Sequence, residues 1–337
     1  MTETEPTMVV DPEGIIVPER VDEEPVPFLI PLGNDDYELH VDNTSKELFE
    51  TCARAAEYYS VKRREGIGER AALFRGSVVH EALGIRKRAT KPDFEKEQVA
   101  HIITRYLDKD FGPDEWRTAE HAVDTIVLYN KQWPIESEPY ELIKGSTELP
   151  FKILLGKAEL NSEITTHAGT FHVRNVYIYW TGIIDAIINY GQCLVMDHKT
   201  TSILGPQFFD DFVLSSQMNG YVWSARKLGY PAIGLLLDAI AGRKPTKTGV
   251  AHEYQRNRYY YEEQHLAEWE KDTFTLITDF LEHLCRGYFP KSPKWCFGKY
   301  GRCQYWDICS SIPDKREGLI QSDLYKPVTW SALTPTL

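Results

Sequence analysis

Two short segments hold the residue types that metal-assisted hydrolysis requires. Gly182-Ile-Ile-Asp185 is followed, eleven residues later, by Asp197-His-Lys199-Thr200. If both are strands of one hairpin, Asp197 and Lys199 project from one face and His198 from the other. Asp185 can reach the first face from the neighbouring strand. Two carboxylates and an ammonium on one patch of sheet are costly unless something offsets the carboxylate repulsion. Mg2+ or Mn2+ does so, because hard cations prefer carboxylate oxygen. A lysine beside metal-bound water helps to position or deprotonate it. A surface hairpin with a plain Asp–Lys salt bridge would contain the same triplet. The flanking Ile183, Ile184, Ile187, Leu194 and Val195 argue instead for a mostly buried sheet, where unpaired carboxylates are rare without a purpose.

Thiols form the second concentration of chemistry. The chain has six cysteines, of which Cys296-x6-Cys303-x5-Cys309 lie within a Gly/Pro/aromatic loop near the C-terminus. No basic-then-apolar leader is visible, so a disulfide framework is not expected, and reduced thiols are free to bind metal. Cys193 and Cys285 fall in apolar segments and read as small core residues.

The elements that would position these groups follow from periodicity. Residues 1 to about 40 are rich in Glu, Asp and Pro and read as a disordered or loosely draped tail. Order is expected from Thr44, where Thr44 and Glu47 fit a capping box opening a helix that runs to Arg63. Further helices are expected over about Glu69–Lys87, Asp93–Asp108 and Pro113–Trp133, with no clear strand in this front half. The pattern then changes to strands at Ser146–Leu155, Phe171–Trp180, Gly182–Asn189 and Cys193–Lys199, with a turn at Gly191 joining the last two. A helix over Gln207–Leu228, strands at Ala232–Ile240 and Val250–Tyr261, and a long amphipathic helix at Glu263–Arg286 complete the expectation. The fold class is α/β: a central mixed sheet flanked by helices. The chain divides into an acidic tail (1–43), a helical region (44–140), a core (141–286) and a Cys-rich C-terminal part (287–337).

Charge and hydropathy set further bounds. The net charge is −12, yet residues 1–50 alone hold 14 acids and two bases, leaving the other 287 residues neutral overall. The folded part is therefore free to present a local basic groove. Basic clusters at Arg86, Lys87, Arg88, at Arg243, Lys244, Lys247 and at Lys291, Lys294, Lys299, Arg302 read, taken singly, as solvated surface charge. The best apolar run, Ala232 to Ala241, is too short for a bilayer and carries Asp238. A cytoplasmic protein of a bacterium, an archaeon or a phage-infected cell is expected, with no membrane partner.

Asp185 followed by Asp197-x-Lys199 resembles the PD-(D/E)XK nuclease superfamily, and specifically its RecB-like branch. Gly76-Ser-Val-Val-His80 resembles the Gly-x-x-x-His motif on the helix before the sheet. Gln217-Met-Asn-Gly-Tyr221 resembles the Gln-x-x-x-Tyr motif on the helix after the catalytic strand, and Glu148 sits where the branch often has an acid on the first strand. The matches keep one order from Gly76 to Tyr221; Asp197 stands where many members have Glu. The resemblance implies a restriction-endonuclease-like core. It also implies Mg2+ or Mn2+ held by His80, Asp185, Asp197 and the backbone carbonyl of His198, Lys199 acting on the attacking water, Gln217 and Tyr221 lining the groove, and Glu148 as an outer ligand. Cys52 with Cys296, Cys303 and Cys309 resembles the one-plus-three iron–sulfur clasp of AddB and CRISPR-associated RecB-like nucleases. That arrangement implies a 4Fe–4S cluster, with Zn2+ as a rival occupant and a first gap of six residues where two is commoner. Lys294, Trp295, Lys299, Tyr300, Arg302 and Tyr305 interleave charge with aromatics in a way that suits single-stranded DNA, or simply cover the metal site. The function implied is a deoxyribonuclease, an exonuclease on single-stranded DNA or DNA ends in recombination, repair or phage DNA metabolism, with a helicase or recombinase as a partner. A catalytically degenerate DNA-binding scaffold and an iron–sulfur redox protein are the alternatives.

Overall fold

The computed structural model describes residues 8–10, 16–18, 27–89, 93–166, 169–246, 251–298 and 301–329. The expected residues Lys247, Val250, Lys299 and Tyr300 lie outside them. Strands are β1 (Ile30–Gly33), β2 (Asp36–Val41), β3 (Leu149–Thr166), β4 (Gly169–Ile184), β5 (Ala186–Asn189), β6 (Cys193–Thr201), β7 (Gly234–Gly242) and β8 (His252–Tyr260). The main helices are α1 (Asn43–Thr51), α2 (Ala71–Arg88), α3 (Phe94–Tyr106), α4 (Ala119–Gln132), α5 (Ser216–Lys227) and α6 (Glu263–Arg286).

Two sheets carry the architecture. One has the order β8-β7-β6-β5, extended by the short strand Glu141–Leu142; the other has the order β1-β2-β4-β3. The first is mixed: β6 and β7 are parallel, while β5–β6 and β7–β8 are antiparallel. β4 and β5 are one run of chain bent at Asp185, so the strand leaves one sheet and enters the other at that residue. The architecture is a mixed α/β fold with sheets flanked by helices, as the pattern of elements predicts.

Helices cover both faces. On one side α6 presents buried Leu266, Trp269, Thr273, Ile277, Phe280, Leu281 and Leu284 at helical spacing. It packs with Met218, Val222 and Trp223 of α5 against Trp180, Ile184, Ile187 and Val195 of the strands. α6 stops at Gly287, whose φ of 62° supplies the left-handed cap that ends a helix cleanly. On the other side, α2, α3 and α4 build a second core from Phe74, Val78, Val79, Leu83, Ile102, Ile126 and Tyr129 against Ile240 of β7.

Several expectations are corrected. Structure begins before Thr44: β2 pairs in parallel with β4 over Asp36–Val41, so the front half does contain strands. Short strand Arg64–Gly66 adds another, paired with Tyr325–Pro327. The cap of α1 is Asp42, which accepts from Ser45 N at 2.7 Å, two residues earlier than the Thr44–Glu47 box. The helix expected to reach Arg63 breaks at Cys52, which is extended (φ −159°, ψ 105°) because a tertiary contact competes with the helix ladder. Ser292 N donates to Cys52 Sγ at 3.4 Å and Arg54 N to Pro290 O at 3.1 Å. Likewise the helix expected over Gln207–Leu228 is two pieces, Pro206–Asp210 and α5.

The tightest point of this packing generates a test. A Cβ at Gly220 would lie 2.8 Å from Trp269 Cζ2 and 3.1 Å from Trp180 Cζ2, closer than two aromatic rings at a helix–sheet contact can yield. Gly220→Ala is expected to lower stability by about 1–3 kcal/mol through overpacking, read as a shifted denaturant midpoint with unchanged slope. No shift would show that α5 can move off the sheet freely.

Candidate active site

The hairpin register places Met196 opposite Ala186 and Val195 opposite Ile187, so Asp197 and Asp185 continue the ladder as neighbours at its open end. Both are buried, Asp185 at 8% and Asp197 at 1% exposure. Asp185 Oδ2 accepts from His198 N at 2.9 Å and lies 3.5 Å from His80 Nδ1. Lys199 Nζ lies 2.7 Å from Asp197 Oδ2, an oxygen with no hydrogen bond of good geometry. On α5, Gln217 Nε2 donates to the Tyr221 hydroxyl at 3.0 Å.

Helix α2 can reach this spot because of one residue. A Cβ at Gly76 would meet Thr200 Oγ1 of β6 at 3.0 Å, so glycine lets the helix lie close enough for His80, one turn on, to face Asp185. Two turns beyond His80, Lys87 donates to the Asp185 carbonyl at 3.0 Å and lies 3.5 Å from Glu148 Oε1. Glu148 itself has a φ of 47° and precedes β3 instead of lying on it, its N–H donating to the Asp185 carbonyl at 3.0 Å. The sequence reading placed Lys87 in a solvated basic cluster; its side chain is instead only 5% exposed. The i, i+7 spacing from His80 was the signal that could have found it.

His198 points away from Asp185's carboxylate face, as strand alternation requires, into a buried polar chain that the sequence reading missed. Its Nδ1 lies 3.0 Å from Asp238 Oδ2, on the register-matched residue of β7. Asp238 also accepts from the Tyr129 hydroxyl and lies 3.3 Å from Arg256 Nε. Arg256 Nη2 donates to Glu138 Oε1 at 3.0 Å, and Arg86 Nη2 donates to the same oxygen at 2.6 Å. The lone acid in the apolar run Ala232–Ala241 was the available hint.

Electrostatics separate the two acids. Burial opposes ionisation of Asp185, but Lys87, His80, His198 and Lys199 hold its carboxyl below the usual range. Burial outweighs Lys199 at Asp197, and the Asp185 charge adds to it, so that carboxyl is raised. Burial likewise raises Glu148 against Lys87. Burial, then the Asp197 and Asp185 charges, keep the Tyr221 hydroxyl protonated.

The donors are chemically suited to a hard divalent cation: two buried carboxylates, one of whose oxygens meets only the Lys199 ammonium without a hydrogen bond of good geometry, an imidazole and an adjacent backbone carbonyl. As they stand, no three His, Cys, Asp or Glu side chains among the described residues are gathered closely enough to hold a metal ion. The same is true of the thiols. Cys52, Cys303 and Cys309 share one small core with Tyr58, Tyr59, Tyr305, Ile308 and Tyr325, and Cys303 N donates to Cys296 O at 2.9 Å. Burial raises the Cys303 thiol and pushes Cys309 up to about 11, neighbouring cysteines adding to both. Tyr305 is buried at 1% exposure and donates to Arg64 O at 2.7 Å, so it covers the thiols and is not a stacking platform, whereas Trp295 is half exposed.

His198 makes the site's stability depend on pH. Burial and then Lys87 lower its imidazole to about 4. Between the unfolded value near 6.5 and this one, the unfolded chain binds a proton that the folded chain refuses. Its contribution is present above about pH 6.5 and lost as pH falls to about 4, a change of about 3 kcal/mol. His198→Gln is expected to flatten the stability–pH profile in that window, measured by urea unfolding at several pH values. An unchanged slope would place the proton elsewhere.

Among curated proteins none matches the chain. Of solved structures, one called "Putative exonuclease", from Eubacterium rectale, is 12% identical, with a TM-score of 0.46, covering 81% of this chain and 88% of that one. A protein called SSO0001 is 14% identical, with a TM-score of 0.27, covering 70% of this chain and 76% of that one. The PD-(D/E)XK nuclease superfamily profile matches residues 43–310, which span His80, Asp185, Asp197, Lys199 and Tyr221. The chain belongs to the PD-(D/E)XK nuclease superfamily.

Proposed function

We propose that this protein is a divalent-metal-dependent deoxyribonuclease of the RecB-like branch. It acts on single-stranded DNA or DNA ends in recombination, repair or phage DNA metabolism, with a helicase or recombinase as a fitting partner. The observation that carries this reading is the juxtaposition of Asp185, Asp197 and Lys199 at the open end of one buried hairpin, with His80 facing them from α2. PD-(D/E)XK nucleases generally use Mg2+ or Mn2+, and here His80, Asp185, Asp197 and the His198 carbonyl would hold it. When bound, such an ion supplies Lewis acidity and an activated water.

The protein's own groups supply the remainder. The ammonium of Lys199, tethered at Asp197 and 24% exposed, orients the attacking water and offsets negative charge growing on the phosphate. Tyr221, kept protonated and accepting from Gln217, has its hydrogen free to donate to a phosphate oxygen. Lys87 and Glu148 sit behind Asp185 and hold its backbone in place, Glu148 serving as an outer ligand. The oxygen of the attacking water bonds to phosphorus as the P–O bond to the leaving oxygen breaks; that water gives one proton to solvent and the leaving oxygen takes one from solvent, so one water is consumed per bond cut. For the cysteines the reading is a 4Fe–4S cluster on Cys52, Cys296, Cys303 and Cys309, with zinc as its rival. It is supported by the one-plus-three order of the cysteines along the chain and by the gathering of Cys52, Cys303 and Cys309 in one small core. Among the described residues, no helix is long and apolar enough to cross a membrane.

Lys199→Ala is expected to lower cleavage of end-labelled single strands in Mn2+ by about 100-fold or more, with DNA binding retained in a gel-shift assay; full activity in this variant defeats the assignment. Anaerobic purification is expected to yield about four iron atoms per chain, lost in Cys303→Ser. One zinc per chain would replace the cluster assignment, and no metal in either preparation would end it.

A further inference from the structure

The polar residues behind the active site do not form an isolated cluster; they close a circuit. His80 faces Asp185 at 3.5 Å, and Asp185 is held by the backbone N–H of His198. The His198 ring meets Asp238 on β7, Asp238 meets Arg256 on β8, and Arg256 meets Glu138 in the loop after α4. Glu138 then accepts from Arg86, and Arg86 stands on the same helix as His80. Helix α2 is therefore tied to the catalytic hairpin at Asp185 through His80 and Lys87 in front, and through Arg86 at the back.

The back half of this circuit is built for rigidity. Asp238 is fully buried, and the side chains of Glu138, Arg256 and Arg86 are exposed by only 5–8%. Two acids and two arginines balance in charge. Each acid has several partners: Asp238 takes His198, Arg256 and Tyr129, and Glu138 takes Arg86 and Arg256. The Glu138 end is tied by hydrogen bonds from both arginines, while His198 Nδ1 and Arg256 Nε meet Asp238 as close charge contacts at 3.0 and 3.3 Å without hydrogen bonds of good geometry. The rings are fixed as well: His198 stands edge-on to His80, with centroids 5.9 Å apart and planes at 89°, and edge-on to Tyr129.

We propose that Asp238, Arg256 and Glu138 are positioning residues of the active site. They set the His198 ring and the lie of α2, and through them the separation of His80, Asp185 and the His198 carbonyl. This rests on the nuclease reading for its consequence in catalysis, but not for the geometry. Groups that hold metal ligands in place from outside typically change metal affinity or activity 10–100-fold when removed; here the ligands so held are the His198 carbonyl and, through α2, the His80 imidazole.

Two variants test it. Asp238→Asn keeps the shape beside His198 but removes the charge; Glu138→Gln alters the circuit without touching any residue of the site. Three readouts are taken on each: Mn2+ affinity by calorimetry, kcat and KM on a single-stranded oligonucleotide, and 15N-labelled imidazole spectra of the metal-free protein, with thermal unfolding to confirm folding. The expected result is 10–100-fold weaker Mn2+ binding and a similar loss in kcat for Asp238→Asn. KM for DNA should be unchanged, the effect should be smaller in Glu138→Gln, and His80 and His198 signals should be displaced in both. If the wild type neither binds Mn2+ nor cuts DNA, the nuclease reading has failed, and the spectra alone decide the positioning. Unmoved His80 signals in folded Asp238→Asn and Glu138→Gln overturn the proposal, as do Mn2+ affinities within twofold of wild type in both.

Discussion

Burying a carboxylate where the chain passes from one sheet to another is the constraint around which this molecule is organised. Asp185 occupies the bend between β4 and β5, with its side chain on the His198 N–H and its carbonyl on Lys87 Nζ and Glu148 N. An isolated ionised acid there would cost far more than a single mutation normally does. It is tolerated because cations and donors reach it from α2, β6 and the start of β3. The neighbouring Asp197 cannot share all of that support, so the two acids are driven apart in proton affinity. Such an imbalance is a standing demand for a cation, and it is the physical link between fold and chemistry.

Meeting that demand requires α2 to lie against β6, and two features make it possible. Gly76 removes the side chain that would collide with Thr200, and the apolar stripe of Phe74, Val78, Val79 and Leu83 seats the helix on α3 and α4. Apolar packing is non-directional; it would allow the helix to slide by a fraction of a turn. Arg86, held to Glu138 and Asn130, resists that sliding at the far end. On the opposite face polar ties join α5 to α6, Trp269 Nε1 donating to Ser216 Oγ at 2.9 Å and Trp223 Nε1 to Glu270 Oε2 at 2.8 Å. There Trp180, Trp223 and Trp269 interlock, and the position of α5, with Gln217 and Tyr221, follows from shape.

The C-terminal segment stabilises the same body from outside. After α6 the chain returns to the N-terminal helical region, pairs Tyr325–Pro327 with Arg64–Gly66 and buries Ile308, Ile320 and Val328 among the tyrosines around Cys52. Closing so long a loop costs little more entropy than closing a short one, because the cost grows only with the logarithm of length. This return meets the break in α1 at Cys52: Arg54 N donates to Pro290 O instead of continuing the helix ladder, and Cys52 Sγ accepts from Ser292 N.

The hairpin with Asp185, Asp197 and Lys199, the helix carrying His80, the Gln217–Tyr221 pair and the amphipathic face of α6 were all legible from the chain, because strand and helix periods are local properties set by the residues themselves. So was the α/β class. Pairing partners far apart in sequence were not legible. Nothing local says that Asp36–Val41 adds to β4, that Lys87 turns inward, or that Asp238, Arg256, Glu138 and Arg86 find one another. A charged residue carries the same signal whether it meets water or a buried counter-charge. Only the packing of the elements, which removes the water, decides which charges must pair.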